Sequence, residues 1–126
     1  MRDSREAIVR SFLDSSANGD VEQCLGYFTP GAAYRDNAWN EPISGIKAIR
    51  SEFERQRSLW SDFRYEVREI ATAGTTVLVE RIDTVHMAGK DITIHAVGVF
   101  EVNDDGKIAD WREYYDMKEI EAQFAT

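Results

Sequence analysis

The spacing of apolar residues along the chain changes once, near Asp62. Before Asp62 apolar positions recur every three or four residues, which is typical of amphipathic helices. After it they alternate with polar positions, which is typical of half-buried strands. The first part is therefore predicted to form helices over residues 4–17, 20–28 and 44–60, with a short strand at 32–37. The second part predicts four strands and a final short helix, over residues 63–72, 75–87, 91–102, 107–117 and 118–125.

Residues that cap helices support these boundaries. Capping side chains precede each predicted helix, and the first and last helices have the spacing of a capping box. The predicted caps are Asp3 with Glu6, Asp20, Ser44, and Asp116 with Glu119. Between the late strands the chain reads "AGT", "AGKD" and "NDDGK", which favours tight hairpin turns.

The order of the elements predicts the fold class. Helices come early and strands late, which indicates an α+β fold. We expect one curved antiparallel sheet wrapped around the N-terminal helices, forming a cone of the cystatin-like α+β roll type. Such a cone has an interior pocket of the kind that binds ligands. The length of 126 residues suits a single domain spanning 1–126.

Two of the predicted strands carry charged residues on an otherwise apolar face. In the strand that ends at Met87, Arg81 and Asp83 alternate with valines, and Glu113 lies in the middle of an aromatic face of the last strand. A lone buried carboxylate is costly unless it is paired or protonated. We therefore expect Arg81 to lie between Asp83 and Glu113 and to hold both by charge-assisted hydrogen bonds.

The charge of this cluster indicates acid–base chemistry. An apolar pocket resists ionisation of both carboxyls, because of desolvation and because like charges repel. One proton is then expected to stay on the pair, which titrates as a unit. A neutral acid and an anion held by one arginine form a general acid and a general base. A purely structural arginine–carboxylate cluster is the alternative that the pattern leaves open.

Charge and composition exclude several partners. The net charge is −8 and the basic residues are scattered, which argues against nucleic acid and anionic membranes as partners. No signal peptide and no membrane-spanning apolar run is recognisable, so a cytoplasmic protein is expected. Cys24, the single cysteine, is expected in the core. His86 and His95 lack a metal-ligand pattern and are expected on the outer face or at an interface, so no metal is predicted.

Three segments resemble the limonene-1,2-epoxide hydrolase family, within the wider SnoaL-like and nuclear-transport-factor-like cone folds. They read "AYRDNAWNEPISG", "ERIDTV" and "GVFEVNDDGKIADWREYYD", and the order of elements agrees over most of the chain. The resemblance implies a homodimer that needs no cofactor. It implies hydrolysis of a small apolar epoxide in one step, with an acid protonating the epoxide oxygen while a base activates the attacking water.

The resemblance also implies roles for individual residues. Asp83 matches the acid and Arg81 the bridging arginine, whereas Glu113 occupies the position of the basic aspartate. Tyr34 matches a tyrosine that helps to hold the water. The asparagine that shares this task falls on Asp36, with Asn37 as the neighbouring candidate. Both replacements depart from the family pattern, because glutamate is longer than aspartate and an ionised aspartate cannot donate as an amide does.

The pocket wall is expected to be apolar. The predicted substrate-binding residues are Leu13, Trp39, Val85, Ile94, Ala96, Trp111 and Tyr115, with Trp39 at the pocket mouth. The outward row Thr93, His95, Val97 and Val99 is unusually apolar for solvent and predicts a homodimer through the sheet. A SnoaL-like ligand-binding, isomerase or cyclase protein without hydrolase activity remains the alternative function.

Overall fold

The structure is a computed structural model that describes residues 2–125, with side chains from Ser4 onward. Within these residues the chain forms four helices and six strands. The helices are α1 (Arg2–Asn18), α2 (Val21–Leu25), α3 (Ile46–Leu59) and α4 (Met117–Phe124). The strands are β1 (Phe28–Arg35), β2 (Ile43–Ser44), β3 (Ser61–Ala73), β4 (Thr76–Met87), β5 (Lys90–Val102) and β6 (Ile108–Tyr115). The predicted α+β class and the predicted order of the main elements are confirmed.

The six strands form one curved, open sheet in the order β2-β1-β6-β5-β4-β3. The four long strands β3 to β6 pair antiparallel with their sequence neighbours, as the hairpin signals predict. The sheet also contains β1, which pairs parallel to β6. The sequence analysis predicted a short strand at this place but not its pairing, and it missed the two-residue strand β2. Parallel pairing joins residues far apart in the chain and leaves no turn signal between them.

Alternation along β4 and β5 determines which residues face the helices. Val77, Val79, Arg81, Asp83 and Val85 are all buried on the inner face of β4. Opposite them the inner face of β5 presents Ile92, Ala96 and Phe100, among others. The helix α1 packs an apolar stripe against this face, with Val9, Phe12 and Leu13 almost fully buried. The inner face of the sheet and α1 therefore enclose the core.

Aromatic rings fill the narrow end of this core. The ring of Phe12 meets those of Phe28, Phe100 and Trp111 edge-on, with centroids 5.0 to 5.9 Å apart. Trp111 also stacks on Phe100 and on Tyr34, at centroid distances of 5.2 and 4.4 Å. Contacts of this kind stabilise beyond the area that they bury. The indole of Trp111 is consequently fixed in place.

Three of the predicted helices begin or end at a different residue in the structure. Asp20 caps α2 in a capping box with Gln23, but the helix ends at Leu25 and Phe28 already belongs to β1. Ser44 does not cap α3; the N-cap is Gly45, whose φ of 90° suits a glycine. The predicted Asp3–Glu6 box falls within α1, and the Asp3 side chain lies outside the described residues.

The helix α4 lies against the first half of β5, residues 90–95, which extends beyond the end of β6 and is paired only with β4. Asp116 caps it by accepting from Lys118 N, whereas Glu119 does not complete the predicted capping box and instead accepts from the backbone N–H of His95. The amide of Gln123 pairs with both the N–H and the C=O of Thr93, at 2.8 and 2.7 Å. These contacts cover a strand edge that would otherwise expose unpaired backbone groups.

The outer face of the sheet is only partly available to a partner. Thr93 and His95 contact α4, and Val99 is already buried within the single chain. His86 and His95 both lie on this outer side, with their Nδ1 atoms 3.0 and 2.5 Å from Asp91 and Glu119.

No helix among the described residues is long and apolar enough to cross a membrane.

Candidate active site

A cavity of about 320 Å³ opens between α1, α3 and the inner face of the sheet. This volume lies at the lower end of the range typical of ligand sites, about 300 to 1,000 Å³. Its wall is largely apolar, and six of the seven predicted substrate-binding residues line it. These six are Leu13, Val85, Ile94, Ala96, Trp111 and Tyr115. The cavity also contains the charged side chains that the sequence places on the inner face.

Arg81 joins the two predicted catalytic carboxyls. Its Nε and Nη2 atoms donate to the two oxygens of Asp83, at 3.0 and 2.8 Å. On its other side Nη1 donates to Glu113 Oε2 at 3.2 Å, and Nη2 also donates to Glu113 Oε1. Four of the five N–H bonds of a guanidinium are thus used on two carboxyls. The predicted convergence of Arg81, Asp83 and Glu113 is observed.

Glu113 receives one further hydrogen bond, which distinguishes it from Asp83. Trp111 Nε1 donates to Glu113 Oε2 at 2.6 Å, from two residues earlier on the same strand. Three N–H groups therefore donate to Glu113, whereas among the described residues only Arg81 donates to Asp83. Donors of this kind stabilise an anion. The two carboxyls of the cluster therefore have different hydrogen-bond environments.

Gly98 gives the longer glutamate its space. It pairs with Glu113 across β5 and β6 and with Val79 across β4 and β5. A Cβ atom at this position would overlap Glu113 Oε2 and would lie only 2.7 Å from Arg81 Nη1. The resemblance includes Gly98, but the sequence analysis assigned it no role, because strand glycines carry no direct signal of what approaches them.

Burial changes the proton affinity of the cluster. Burial raises the pKa of Asp83, and the Glu113 charge raises it further, against the opposing effect of the Arg81 hydrogen bonds and charge. Burial alone would lower the pKa of Arg81, but the charges of Glu113 and Asp83 outweigh it, so the arginine pKa is raised. Arg81 therefore stays charged, and Asp83 holds its proton to a higher pH than an exposed aspartate does.

A second polar group lies on the wall formed by β1 and α3. Tyr34 donates to Asp36 Oδ1 at 3.3 Å, and Gln56 Nε2 donates to the Tyr34 hydroxyl at 3.0 Å. Tyr115 also forms a side-chain hydrogen bond with Asp36. Burial and then the Glu113 charge raise the pKa of Asp36, and burial and then the Asp36 charge raise that of Tyr34. Tyr34 thus lines the cavity, and of the two candidates Asp36 and Asn37 it is Asp36 that does so.

Two predicted site residues lie elsewhere. Asn37 does not line the cavity; it is buried outside it, with Nδ2 donating to Tyr115 O at 3.1 Å. Trp39 is 70% exposed and does not reach the pocket mouth. The cause is the loop after β1, which is fixed to the backbone of β6 by Asn37 and by a 2.9 Å bond from Ala38 N to Glu113 O. The following residues are turned to the protein surface.

Phe53 and Gln56 of α3 line the cavity, together with Arg55 and Arg57, and none of the four was predicted to do so. Trp60, directly after the helix, also lines it. Phe53 and Gln56 are three residues apart and so lie on the same side of the helix. The three-residue spacing from Phe53, an apolar residue of the predicted helix 44–60, was the signal by which Gln56 could have been found.

The fold and the cavity define a class of small cone-shaped proteins. The chain belongs to the SnoaL-like domain family, whose model matches residues 9–111. It is similar to the epoxide hydrolase EphG of Mycobacterium tuberculosis (strain ATCC 25618 / H37Rv), with 32% identity over 116 residues. That match covers 89% of this chain and 73% of the relative.

Solved structures agree with this assignment. An LEH-like epoxide hydrolase of M. tuberculosis superposes with a TM-score of 0.83 at 25% identity, covering 96% of this chain and 89% of that one. SalBIII, an epoxide hydrolase/cyclase-like enzyme with a role in pyran ring formation in the polyether salinomycin, gives 0.82 at 24% identity, covering 91% and 92%. At 24% identity, the match to SalBIII shows that the two proteins share the fold. The resemblance to the limonene-1,2-epoxide hydrolase family is confirmed by the first structure and by EphG.

Proposed function

We propose that this protein is a cofactor-independent epoxide hydrolase that opens a small apolar epoxide with water in a single step. The observation that carries the proposal is the Asp83–Arg81–Glu113 cluster, in which one arginine holds two buried carboxyls at the wall of an apolar cavity. The similarity to epoxide hydrolases at 32% and 25% identity supports the same activity.

In the proposed reaction Asp83 is the general acid and Glu113 the general base. Glu113 accepts a proton from water while the water oxygen forms a bond to one epoxide carbon. The bond between that carbon and the epoxide oxygen breaks, and the oxygen takes the Asp83 proton, which gives a vicinal diol. One proton must then pass from Glu113 back to Asp83 through solvent. Arg81 remains charged throughout and keeps both carboxyls in register.

The water side of the site is proposed to include Tyr34 and Asp36. Both line the cavity on the wall next to Glu113, and the Asp36 carboxyl is held by the hydroxyls of Tyr34 and Tyr115. A water between Glu113 and Asp36 would donate one hydrogen bond to each, leaving a lone pair on its oxygen directed at the epoxide carbon. Asp36 thus takes the position that the resemblance gives to an asparagine.

One feature favours a second candidate function. Both oxygens of Glu113 already accept N–H groups, so fewer of their lone pairs are free to contact a water. A site of this kind suits a cyclase or isomerase whose substrate brings its own nucleophile, or a protein that only binds a polar ligand group. In either case Arg81 and the two carboxyls would orient the substrate.

A panel of small cyclic and linear epoxides distinguishes these functions. We expect the wild type to form diols, with a bell-shaped dependence of rate on pH. Asp83→Asn and Glu113→Gln should each lower kcat by at least about 100-fold while the fold is retained, because the amides keep the shape but do not transfer the proton. The exposed Asp105→Asn is the matched control. Absence of diol from every epoxide would reject the hydrolase, and a cyclic ether product would favour the cyclase.

A further inference from the structure

Gln56 on α3 makes contacts on the cavity wall that the proposed reaction does not yet use. Its Nε2 atom donates to the Tyr34 hydroxyl at 3.0 Å and to Glu52 Oε2 at 3.1 Å. Glu52 is held in turn by Arg55, whose Nε and Nη2 atoms donate to its two oxygens at 2.9 and 2.6 Å. The hydrogen bonds from Arg55 lower the pKa of Glu52, so this carboxylate stays ionised. Because an ionised Glu52 can only accept hydrogen bonds, Gln56 must turn its amide nitrogen, and not its amide oxygen, toward Glu52.

These contacts determine the direction of the neighbouring hydrogen bonds. An amide nitrogen only donates, so the Tyr34 oxygen must accept from Gln56. The single hydroxyl proton of Tyr34 is then available for Asp36 Oδ1, 3.3 Å away. Tyr34 is 2% exposed, so its hydroxyl has little access to solvent as an alternative acceptor. The network therefore runs in one direction, from Gln56 through Tyr34 to Asp36.

We propose that Gln56 is a positioning residue of the active site, which directs the Tyr34 hydroxyl onto Asp36 and thereby holds the Asp36 carboxyl toward the attacking water. The inference rests on the proposed hydrolase function. Gln56 does not touch the reacting atoms; it acts through Tyr34. A residue at position 56 that accepts a hydrogen bond would instead receive one from the Tyr34 hydroxyl. The oxygens of Tyr34 and Asp36 would then face each other without a hydrogen between them.

Replacing Gln56 by glutamate and by methionine tests the direction of donation. In Gln56→Glu the new carboxylate accepts and cannot donate when ionised, whereas its protonated form donates as the amide does. The other charged or titratable groups around this position are Glu52 and Arg55 on α3, Tyr34 on β1 and Asp36 directly after it, with Glu113 and Tyr115 on β6 next to Asp36. Glu52 repels a second carboxylate, so the ionised form of the variant is reached toward alkaline pH. In Gln56→Met the new side chain neither donates nor ionises and keeps a similar volume.

The experiment is a pH profile of kcat and KM for wild type, Gln56→Glu and Gln56→Met. We expect Gln56→Glu to lose at least about tenfold in kcat at alkaline pH, with little change in KM, and to approach the wild type as the pH falls. Gln56→Met should lose a similar factor at every pH. Ser58→Glu adds the same charge on the exposed side of α3 and should behave as the wild type.

The results separate the two proposals. Equal pH profiles of kcat for the glutamate and methionine variants would overturn the positioning role. In that case the protonation state of residue 56 would have no effect on kcat, as expected for a residue that only fills space. Wild-type kcat in both variants would overturn it as well, and would leave the hydrolase function intact. If the wild type turns over no epoxide at any pH, the hydrolase function fails and the role of Gln56 falls with it. Circular dichroism of each variant establishes that the fold is retained.

Discussion

Gly98 on β5 lies directly opposite Glu113 on β6, and the space that a side chain would fill at Gly98 is taken by the carboxylate of Glu113 and the guanidinium of Arg81. This close approach allows a glutamate to occupy a position where the resemblance leads one to expect an aspartate. The extra methylene extends the side chain, and the missing Cβ at Gly98 gives the carboxylate room to contact Arg81 and Trp111.

Gly98→Ala is therefore expected to damage both stability and catalysis. The new Cβ would lie 2.7 Å from Arg81 Nη1 and 2.9 Å from Phe100 Cε1, so the buried cluster must move. We expect a loss of about 1–3 kcal/mol in the free energy of unfolding, the cost typical of overpacking a core. Urea unfolding measures it, with Gly31→Ala as the control, because a Cβ at Gly31 meets nothing within 4 Å. Equal stabilities of the two variants would contradict the close approach.

Glu113→Asp tests whether the site is adapted to glutamate. The shorter side chain cannot keep both its contact with Trp111 Nε1 and its contacts with Arg81, since these already define the position of the carboxylate. Displacements of about 1 Å cost on the order of 100-fold in rate, and we expect kcat to fall by about that factor. Steady-state kinetics on the best epoxide of the panel measure it. Unchanged or higher activity would show that the site retains the geometry implied by the family aspartate.

Asp36→Asn should change how the stability of the protein depends on pH. Burial and the Glu113 charge raise the pKa of Asp36 above its ordinary value of 3.8. The folded state thus binds this proton more tightly than the unfolded state. The resulting stabilisation is fully present when the pH is below the ordinary pKa of Asp36, and it is lost as the pH rises through the pKa of the folded state. Relative to the wild type, the variant should gain in unfolding free energy as pH rises. Urea titrations across acidic to neutral pH test this, and a difference that is constant with pH would contradict it.

The positions of the site residues show how far the sequence was informative. Period-two alternation was sufficient to place Arg81, Asp83 and Glu113 on one inner face, because a strand fixes the direction of every second side chain. The same rule does not apply to a loop. Trp39 was predicted at the pocket mouth and Asn37 was the alternative to Asp36, yet hydrogen bonds to the backbone of β6 turn this loop away from the cavity. The direction of a loop depends on contacts with distant strands, which local sequence does not record.

Two further features were not predicted, because both depend on contacts between elements that are distant in the sequence. The parallel pair of β1 and β6 and the contact of Gln56 with Tyr34 both join residues that are remote or lie on different elements. The departure from the expected asparagine, in contrast, could be recognised from the sequence. The structure adds that Asp36, and not Asn37, is the residue that faces the cavity.

Homodimer formation through the outer face of the sheet remains a prediction. Leu78 and Tyr114 are 39% and 42% exposed there, and the partly exposed Val97, the strand partner of Tyr114, extends the same apolar surface. We expect a dimer at micromolar concentration and a monomer for Leu78→Glu, because a buried unpaired charge opposes association. Size-exclusion chromatography with light scattering measures the mass. Trp39→Glu, which alters an exposed residue away from the sheet, should remain dimeric. A monomeric wild type would reject this interface.

The source of the oxygen in the product tests the proposed one-step water attack most directly. With enzyme in excess over an epoxide in ¹⁸O-labelled water, a single turnover should give a diol that already contains one solvent oxygen, because Glu113 only activates the water. Asp83→Asn should give no diol under the same conditions. A first-turnover diol without ¹⁸O, with the label appearing only in later turnovers, would mean that a carboxylate of the protein attacks the epoxide, and would contradict the roles assigned to Asp83 and Glu113.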